Sequence, residues 1–237
     1  MNKTGAGTLV LSNTNGAGVS TPSNYYNNGT KVPAPKKGYK QTKVGVIPED
    51  WEVTQIKDVT DYVDYRGKTP KKVESGILLV TARNIKQGYL DYNTSQEYIA
   101  EDDYSNVMSR GIPKRGDVLL TTEAPLGNIA QIDNENIALA QRVIKFRAKN
   151  DLDNTYLKYH FLSERFQQYL YSLAIGTTVL GIQGKQLHKM LIPVPPLKEQ
   201  QKIAQILTTW DSAISKEEEL IEAKETLQRA TNRPKLG

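Results

Sequence analysis

Cysteine is absent from this chain of 237 residues, and histidine occurs only twice, at His160 and His188. Zinc and cysteine chemistry are therefore excluded, and any metal site would have to rest on carboxylates. No apolar run approaches the roughly 18 residues that span a bilayer, and the N-terminus lacks the basic start and hydrophobic segment of a signal peptide. These absences predict a cytoplasmic protein with no membrane partner and no cofactor of its own.

The sequence also lacks a complete catalytic motif. An amino-methyltransferase would have Asn/Asp-Pro-Pro-Tyr/Phe, whereas Val194–Leu197 has the sequence Val-Pro-Pro-Leu. Asp117 and Glu123 lie on or near a predicted strand, but Pro125 stands where a two-metal nuclease would need a lysine. Two histidines and no cysteine leave few groups for nucleophilic catalysis. We therefore expect a protein that is not an enzyme.

Positive charge is in slight excess and is unevenly distributed. The net charge is +5, of which residues 1–50 contribute +4 and residues 51–197 contribute only +1. Because the central region is nearly neutral, any binding to nucleic acid must use local basic patches. The segment 91–103 has five acids and no bases, so we expect its surface to face away from DNA.

Residues 1–44 differ from the rest in composition, since Gly, Ser, Thr, Asn and Pro dominate and apolar residues are sparse. This composition predicts a flexible leader that is unrelated to the fold. Its opening, KTGAGTLVLSNTN, is similar to the turns of secreted β-helix passenger proteins of the autotransporter type. That similarity leaves a surface-interaction protein of the adhesin type as an alternative function. A β-helix needs several stacked repeats, however, and none follow.

Residues 45–195 have the pattern of a compact domain. Trp51 in IPEDWEV is a candidate core anchor, and the segment VTQIKDVTDYV predicts a short amphipathic helix or a turn. ILLVTA at 77–82 predicts a buried strand. From Gly111 onward, apolar runs separated by Gly and Asn predict a sheet.

One further helix is predicted near the end of this domain. Asp153 or Asn154 can cap a helix that runs to about Ala174, whose Leu and Phe residues supply its buried faces. His160 falls within this helix, and we expect it to be packed rather than catalytic.

Three polar loops are candidate DNA-binding elements. DYRGKTPKK crowds cations around a turn, where they can contact phosphates or form a solvated basic loop. After ILLVTA, an Arg and an Asn are placed to read guanine and adenine edges, although a simple turn has the same pattern. The loop GTTVLGIQGKQLHKM has hydroxyl, amide and lysine side chains and no acid, which suits contacts to sugar, phosphate and bases. The candidate residues are Arg66, Lys68, Thr69, Lys71, Arg83, Asn84, Lys86, Thr177, Thr178, Gln183 and Lys185.

A long helix is predicted over residues 196–230, followed by a tail at 231–237. Pro196 suits the first helical position, and Glu199 places negative charge at the amino end of the helix dipole. At 1.5 Å per residue, the stretch from Lys198 to Arg229 would form a helix roughly 48 Å long, too long to fold back within one small domain. Its apolar positions favour packing on several neighbours or an antiparallel coiled coil, although an ordinary surface helix is also consistent with them. The candidate partner contacts are Ile203, Leu207, Trp210, Ile214 and Ile221.

Three motifs together resemble the specificity subunit of Type I restriction-modification systems. They are GVIPEDWEV before the GKTP loop, RGDVLLTTEAPLGN in the predicted sheet, and LIPVPPLKEQQKIAQILTTWDSAI entering the long helix. The resemblance spans about Gly38 to Lys224. It implies an α+β fold, in which a mixed α/β target-recognition domain is followed by a long C-terminal helix that forms an antiparallel coiled coil. The leader and the tail ETLQRATNRPKLG depart from the family pattern.

The resemblance implies a non-catalytic subunit that binds double-stranded DNA. Members bind two modification subunits, which methylate adenine using S-adenosylmethionine, and a restriction subunit can join them. Full-length members have two recognition units, so this chain is expected to be a half-subunit that forms a homodimer through its C-terminal helix. Each copy would then read one half of a split target. An accessory domain of a DNA nuclease or methyltransferase outside Type I systems is the remaining alternative.

Overall fold

The computed structural model describes residues 35–67, 69–176 and 179–231. Its mixture of strands and helices and its long C-terminal helix confirm the predicted α+β class. In chain order the strands are β1 (Tyr39–Thr42), β2 (Gly45–Pro48), β3 (Glu52–Gln55), β4 (Thr60–Asp64), β5 (Ile77–Val80), β6 (Tyr98–Ile99), β7 (Val118–Thr122), β8 (Leu126–Gln131), β9 (Ile137–Leu139), β10 (Val143–Ala148) and β11 (Leu191–Val194). The helices are α1 (Ile56–Val59), α2 (Tyr104–Val107), α3 (Asn154–Leu162), α4 (Glu164–Ser172), α5 (Gly184–Leu187) and α6 (Leu197–Thr231), with a 3-10 helix at Glu101–Asp103.

A four-stranded antiparallel sheet in the order β4-β10-β7-β8 lies at the centre of the domain, as the apolar runs after Gly111 predicted. In β7, Val118 and Leu120 belong to one hydrophobic cluster and Leu119 belongs to the other. Since successive side chains of a strand point to opposite faces, both faces of this sheet are buried. Burial on both faces explains why β7 begins with an apolar run instead of an alternating pattern.

Helices α3 and α4 cover one face of the sheet. They replace the single predicted helix because Ser163 between them has an extended conformation, with φ −61° and ψ 140°. Its side chain accepts a hydrogen bond from a backbone N–H of α4, while Asp153 caps α3 in the same way. His160 is packed at the end of α3, where burial lowers its pKa to about 4. Within the described ranges its Nε2 has no hydrogen-bond partner.

The opposite face of the sheet is covered by a second, three-stranded sheet in the order β6-β5-β9. Strand β5 pairs antiparallel with β6 and parallel with β9. The strand predicted at 77–82 is thereby confirmed, although it ends at Val80. Thr81 instead begins a turn, in which its carbonyl accepts a hydrogen bond from the backbone N–H of Asn84 at 3.0 Å.

The N-terminal strands and turns are fastened to later parts of the domain. The hairpin β1–β2 crosses the predicted boundary at residue 45, and Arg165 Nη1 donates to Val44 O at 2.9 Å to fasten it to α4. VTQIKDVTDYV, predicted as a short amphipathic helix or a turn, forms the single helical turn α1 between strands β3 and β4. The reason is tertiary pairing, since β3 pairs with β11 and β4 pairs with β10. Residues 1–34 of the predicted leader and 232–237 of the tail lie outside the described residues.

Asp117 is a buried carboxylate, 1% exposed, next to the start of β7. Its Oδ1 lies 2.6 Å from Arg147 Nε, and its Oδ2 lies 2.7 Å from Arg147 Nη2 and 3.3 Å from Lys145 Nζ. Burial lowers the pKa of Lys145, and the charge of Asp117 opposes that shift. Asp117 therefore has a structural role. Across the described ranges, no group of acids and histidines is placed to hold a metal ion.

Gln200 forms the joint between α6 and the domain, and its side chain is fully buried. Its Nε2 donates to Asp151 O and to Pro195 O, both at 2.7 Å. Its Oε1 accepts from the backbone N–H of Asp153 at 2.8 Å. Every hydrogen-bonding atom of this amide is thus committed to holding the helix on the domain.

The first turns of α6 make further contacts with the domain. The helix begins one residue after the predicted start, and Pro196 O accepts the backbone N–H of Gln200 at 3.1 Å. Trp51 is half-buried, and its Nε1 donates to Glu199 Oε2 at 3.0 Å. Further along, Tyr159 Oη donates to Asp211 Oδ2 at 2.7 Å, which is the last side-chain hydrogen bond from the domain to α6 within the described ranges.

Apolar side chains are exposed along α6, which runs beside the domain as far as Glu218, where it shares a cleft with Gln87 and Tyr89. Trp210 is 65% exposed and Ile214 is 54% exposed. The other exposed apolar side chains of α6 are Leu197, Ile206, Leu207, Leu220, Ile221 and Leu227. Of the predicted partner contacts, only Ile203 is partly buried against the domain core. Among the described helices, none is long and apolar enough to cross a membrane.

Candidate nucleic-acid interface

Arg66 stands in the loop after β4 and is held by its neighbours. Its Nε and Nη2 lie 2.8 Å and 2.5 Å from Asp64 Oδ2. The loop backbone is fixed as well, because Arg110 Nη1 donates to Asp64 O at 2.9 Å and to Arg66 O at 2.5 Å. The hydrogen bonds to Asp64 raise the pKa of Arg66, so its charge is permanent.

A cleft of about 300 Å³, the Arg66 cleft, brings this loop together with the distant helix α5, which contains Lys185 and follows Gln183. Gly184 makes the close approach possible, since a Cβ at this position would lie 3.0 Å from Arg66 Nη2. Gln183 is exposed at the residue before α5. The residues that line the cleft are Lys57, Tyr62, Asp64, Arg66, Gly184, Lys185, His188 and Lys189.

A second cleft of about 290 Å³, the Arg142 cleft, brings together the predicted residues Thr69 and Arg83. Arg83 is exposed in the loop after β5, and Arg142 precedes β10. The residues that line the cleft are Thr69, Pro70, Lys72, Leu79, Thr81, Ala82, Arg83, Glu97, Ala124, Ala140, Gln141 and Arg142. Glu97 belongs to the acidic segment that we expected to face away from DNA, and here it pairs with Lys72 at 2.7 Å.

Glu123 is close to residues of both clefts, and Arg66 and Thr69, three residues apart in the chain, each line one of them. Glu123 Oε1 is 2.8 Å from Arg142 Nε, and its negative charge also contributes to the raised pKa of Arg66. Glu123 and Gly181 form an isolated antiparallel bridge, which brings the loop before α5 alongside. The two clefts are therefore parts of one surface.

The charges of this surface leave several cations available. Asp64, Glu97 and Glu123 each pair with one cation, at 2.5, 2.7 and 2.8 Å. Within the described ranges, no carboxylate lies at ion-pair distance from the remaining lining cations, which are Lys57, Arg83, Lys185 and Lys189. Such cations are suited to contacts with phosphate groups.

Asn84 does not have the predicted accessibility. Its side chain is fully buried, with Oδ1 accepting from the backbone N–H and the hydroxyl of Thr81 at 2.9 Å. Its Nδ2 donates to Asp91 O and Ser95 O, both at 2.9 Å. Because the whole amide is used to close this turn, the prediction that Asn84 reads a base edge is wrong for this conformation.

The remaining predicted residues have mixed positions. Lys71 is exposed and Lys86 is half-buried, and neither lines a cleft described above. Lys68, Thr177 and Thr178 lie outside the described residues.

The chain is similar to known proteins over most of its length. Residues 48–225 match the family model described as Type I restriction modification DNA specificity domain. The chain belongs to this family. The match confirms the resemblance found in the sequence and, with it, the expectation of a specificity component that is not an enzyme.

Relatives of this Type I specificity domain are longer than the chain. The MjaVIII specificity subunit, from a Type I restriction enzyme of Methanocaldococcus jannaschii, is 33% identical over 198 residues, which cover 78% of this chain and 46% of that protein. The HsdS subunit of Thermoanaerobacter tengcongensis superposes with a TM-score of 0.52 at 17% identity, covering 82% of this chain and 43% of that one. A chain solved in work on complex assembly and conformational transition of the type I R-M system gives 0.56 at 19% identity, with 78% and 44% covered. The chain thus spans less than half the length of these relatives.

Sequence reasoning missed several residues that line the clefts of this specificity domain, among them Lys57, Lys189, Gln141 and Arg142. Lys57 and Lys189 lie in segments assigned to a helix and to the end of a loop, and each is brought to the Arg66 cleft by tertiary pairing. Gln141 and Arg142 lie between β9 and β10, and the apolar runs on both sides of them predicted only strands. The pair of polar residues that interrupts IALAQRVIKF could have indicated an exposed turn between two strands.

Proposed function

We propose that this chain is a non-catalytic DNA-recognition module that reads one half of a bipartite target. The observation that carries the proposal is the single surface formed by the Arg66 and Arg142 clefts. Its four cations that have no ion pair among the described residues provide phosphate contacts, and its arginine and amide side chains provide groups that can read base edges. Membership in a DNA specificity family supports this assignment.

The exposed apolar face of α6 is the proposed assembly element. Two copies pair through antiparallel α6 helices and place two recognition surfaces at a fixed separation, as dimer geometry sets half-site spacing in other DNA-binding proteins. The same helix contributes to recruiting modification subunits, which a restriction subunit can join. S-adenosylmethionine binds to the modification subunit and not to this chain. The complex acts on DNA in the cytoplasm.

Replacing Lys185 and Lys189 together by glutamine is expected to weaken binding to a short DNA duplex about tenfold at moderate salt. Both side chains line the Arg66 cleft and lack a carboxylate partner among the described residues, so each is free to neutralise a phosphate. The slope of log affinity against log salt should become shallower by about 1.8, because two phosphate contacts are lost. Fluorescence anisotropy of the full chain from about 50 to about 200 mM salt measures both quantities.

The matched control replaces Lys198 and Lys202 by glutamine. These lysines are exposed on α6, outside both clefts, and the same change in net charge should leave the salt slope unaltered. If the two double variants behave alike, the Arg66 cleft is not a phosphate-binding surface. If the unaltered chain binds no duplex at any salt concentration, the proposed function itself is wrong.

A further inference from the structure

Backbone strain is concentrated around the ion pair of Glu123 and Arg142. Only three non-glycine residues in the described ranges have positive φ, namely Ala124 at 46°, Arg142 at 73° and Asn150 at 52°. Ala124 follows Glu123 directly, and both Ala124 and Arg142 line the Arg142 cleft. Such conformations cost free energy and persist where the surrounding structure imposes them, and they are common at functional sites.

The surrounding strands impose the strained conformation of Arg142. Its carbonyl accepts the backbone N–H of Thr122 at 2.9 Å, and the next residue, Val143, is fully buried in β10. The pairing of β7 with β8 shifts register between Leu120 and Thr122, immediately before Glu123. A register shift of this kind redirects the residues that follow it. Glu123 therefore follows a sheet irregularity, and Arg142 is held by its hydrogen bond to β7 and by the buried residue after it.

Among the described residues, the side chain of Arg142 is held by one ion pair, and its terminal amino groups remain open for other contacts. Its Nε lies 2.8 Å from Glu123 Oε1, and the side chain is 49% exposed. Within the described ranges, neither of its terminal amino groups makes a hydrogen bond to the protein. An arginine anchored through Nε keeps a planar pair of donors that matches O6 and N7 of guanine in the major groove.

The other two arginines of this surface have different surroundings. Arg66 directs both Nε and Nη2 at Asp64, so part of its guanidinium fork is already occupied. Arg83 has no carboxylate at ion-pair distance in the described part of the chain, so nothing there fixes its orientation. Arg142 alone among these three is both anchored at Nε and open at its terminal amino groups, within the described ranges.

We propose that Arg142 is a specificity-determining residue that reads one guanine of the DNA target, and that Glu123 is the positioning residue that orients it. This inference rests on the proposed function and adds to it a named base contact. The ion pair with Glu123 reduces the conformational freedom that the side chain would lose on binding.

The test is selection of bound sequences from a duplex library with a randomised central region, using the full chain and its variants. Arg142→Ala should lose about 5- to 150-fold of the preference for guanine at one position, with other positions unchanged. Glu123→Gln should weaken the preference at the same position. The double variant should match Arg142→Ala, since Glu123 acts only through Arg142.

Arg142→Gly separates base reading from a structural role. Glycine adopts positive φ without strain, so this variant should lose the same guanine preference while its melting temperature equals or exceeds that of Arg142→Ala. The inference is overturned if Arg142→Ala selects the same sequence as the unaltered chain, or if the double variant loses more than Arg142→Ala alone. An unaltered chain that selects no sequence would instead overturn the proposed function.

Discussion

Asp117→Ala is expected to lower the free energy of unfolding by about 3–5 kcal/mol, the largest single-residue effect on stability that we predict. The carboxylate is buried and interacts with two cations, Lys145 and Arg147, and with the backbone N–H of Lys114 at 2.9 Å. Removing it leaves Lys145, 5% exposed, as a buried charge without its partner. Without this carboxylate, Lys145 must either lose its proton or regain hydration through local opening, and both cost free energy.

Chemical denaturation followed by circular dichroism measures this loss. The control is Glu97→Gln, which breaks the ion pair with Lys72, where the side chains are 27% and 53% exposed. Exposed pairs of this kind contribute about 0–1 kcal/mol. Equal stabilities for the two variants would show that the Asp117 cluster does not hold the sheet together.

Replacing Trp210 and Ile214 by glutamate is expected to weaken self-association through α6 about 100-fold or more. Both side chains are exposed in the single chain, so the domain should unfold at the same denaturant concentration as before. In a paired helix they would be buried, and carboxylates at these positions would have to give up their hydration. Sedimentation velocity across a range of protein concentrations, with and without the modification subunit, measures the association.

The matched control adds two carboxylates on another face of the same helix, as Gln205→Glu and Ser212→Glu. At 100° per residue these positions lie on the opposite side of α6 from Trp210 and Ile214. The control variant should associate as the unaltered chain does. A chain that remains monomeric at micromolar concentration with the modification subunit present would contradict the proposed pairing.

The sequence pattern predicted elements whose signal is local. Strand β5 and the sheet after Gly111 follow from apolar runs, and the start of α6 follows from Pro196 and Glu199. The break at Ser163 was missed because every residue around it is compatible with a helix. Capping by a serine competes with helix continuation only when packing favours a bend, and packing is not visible in the local pattern.

The candidate interface was only partly predictable for a related reason. Basic loops indicated Arg66 and Lys185, but the close approach at Gly184 that joins them depends on how β4 and α5 pack. Asn84 has the residue type of a base contact, yet the structure uses its amide to close a turn. The environment of a polar side chain decides between these roles, and that environment is a tertiary property.

The buried amide of Gln200 fixes the angle at which α6 leaves the domain. The joint is hydrogen-bonded on three sides, so its geometry determines the angle between the domain and α6. A helix of 35 residues is about 52 Å long, so a tilt of about 4° at the joint moves its far end by about 3.6 Å. That displacement exceeds one base-pair step of about 3.4 Å along DNA. In the proposed dimer, the stiffness of this joint, to which Trp51 and Tyr159 also contribute, would limit how accurately the distance between the two recognition surfaces is kept.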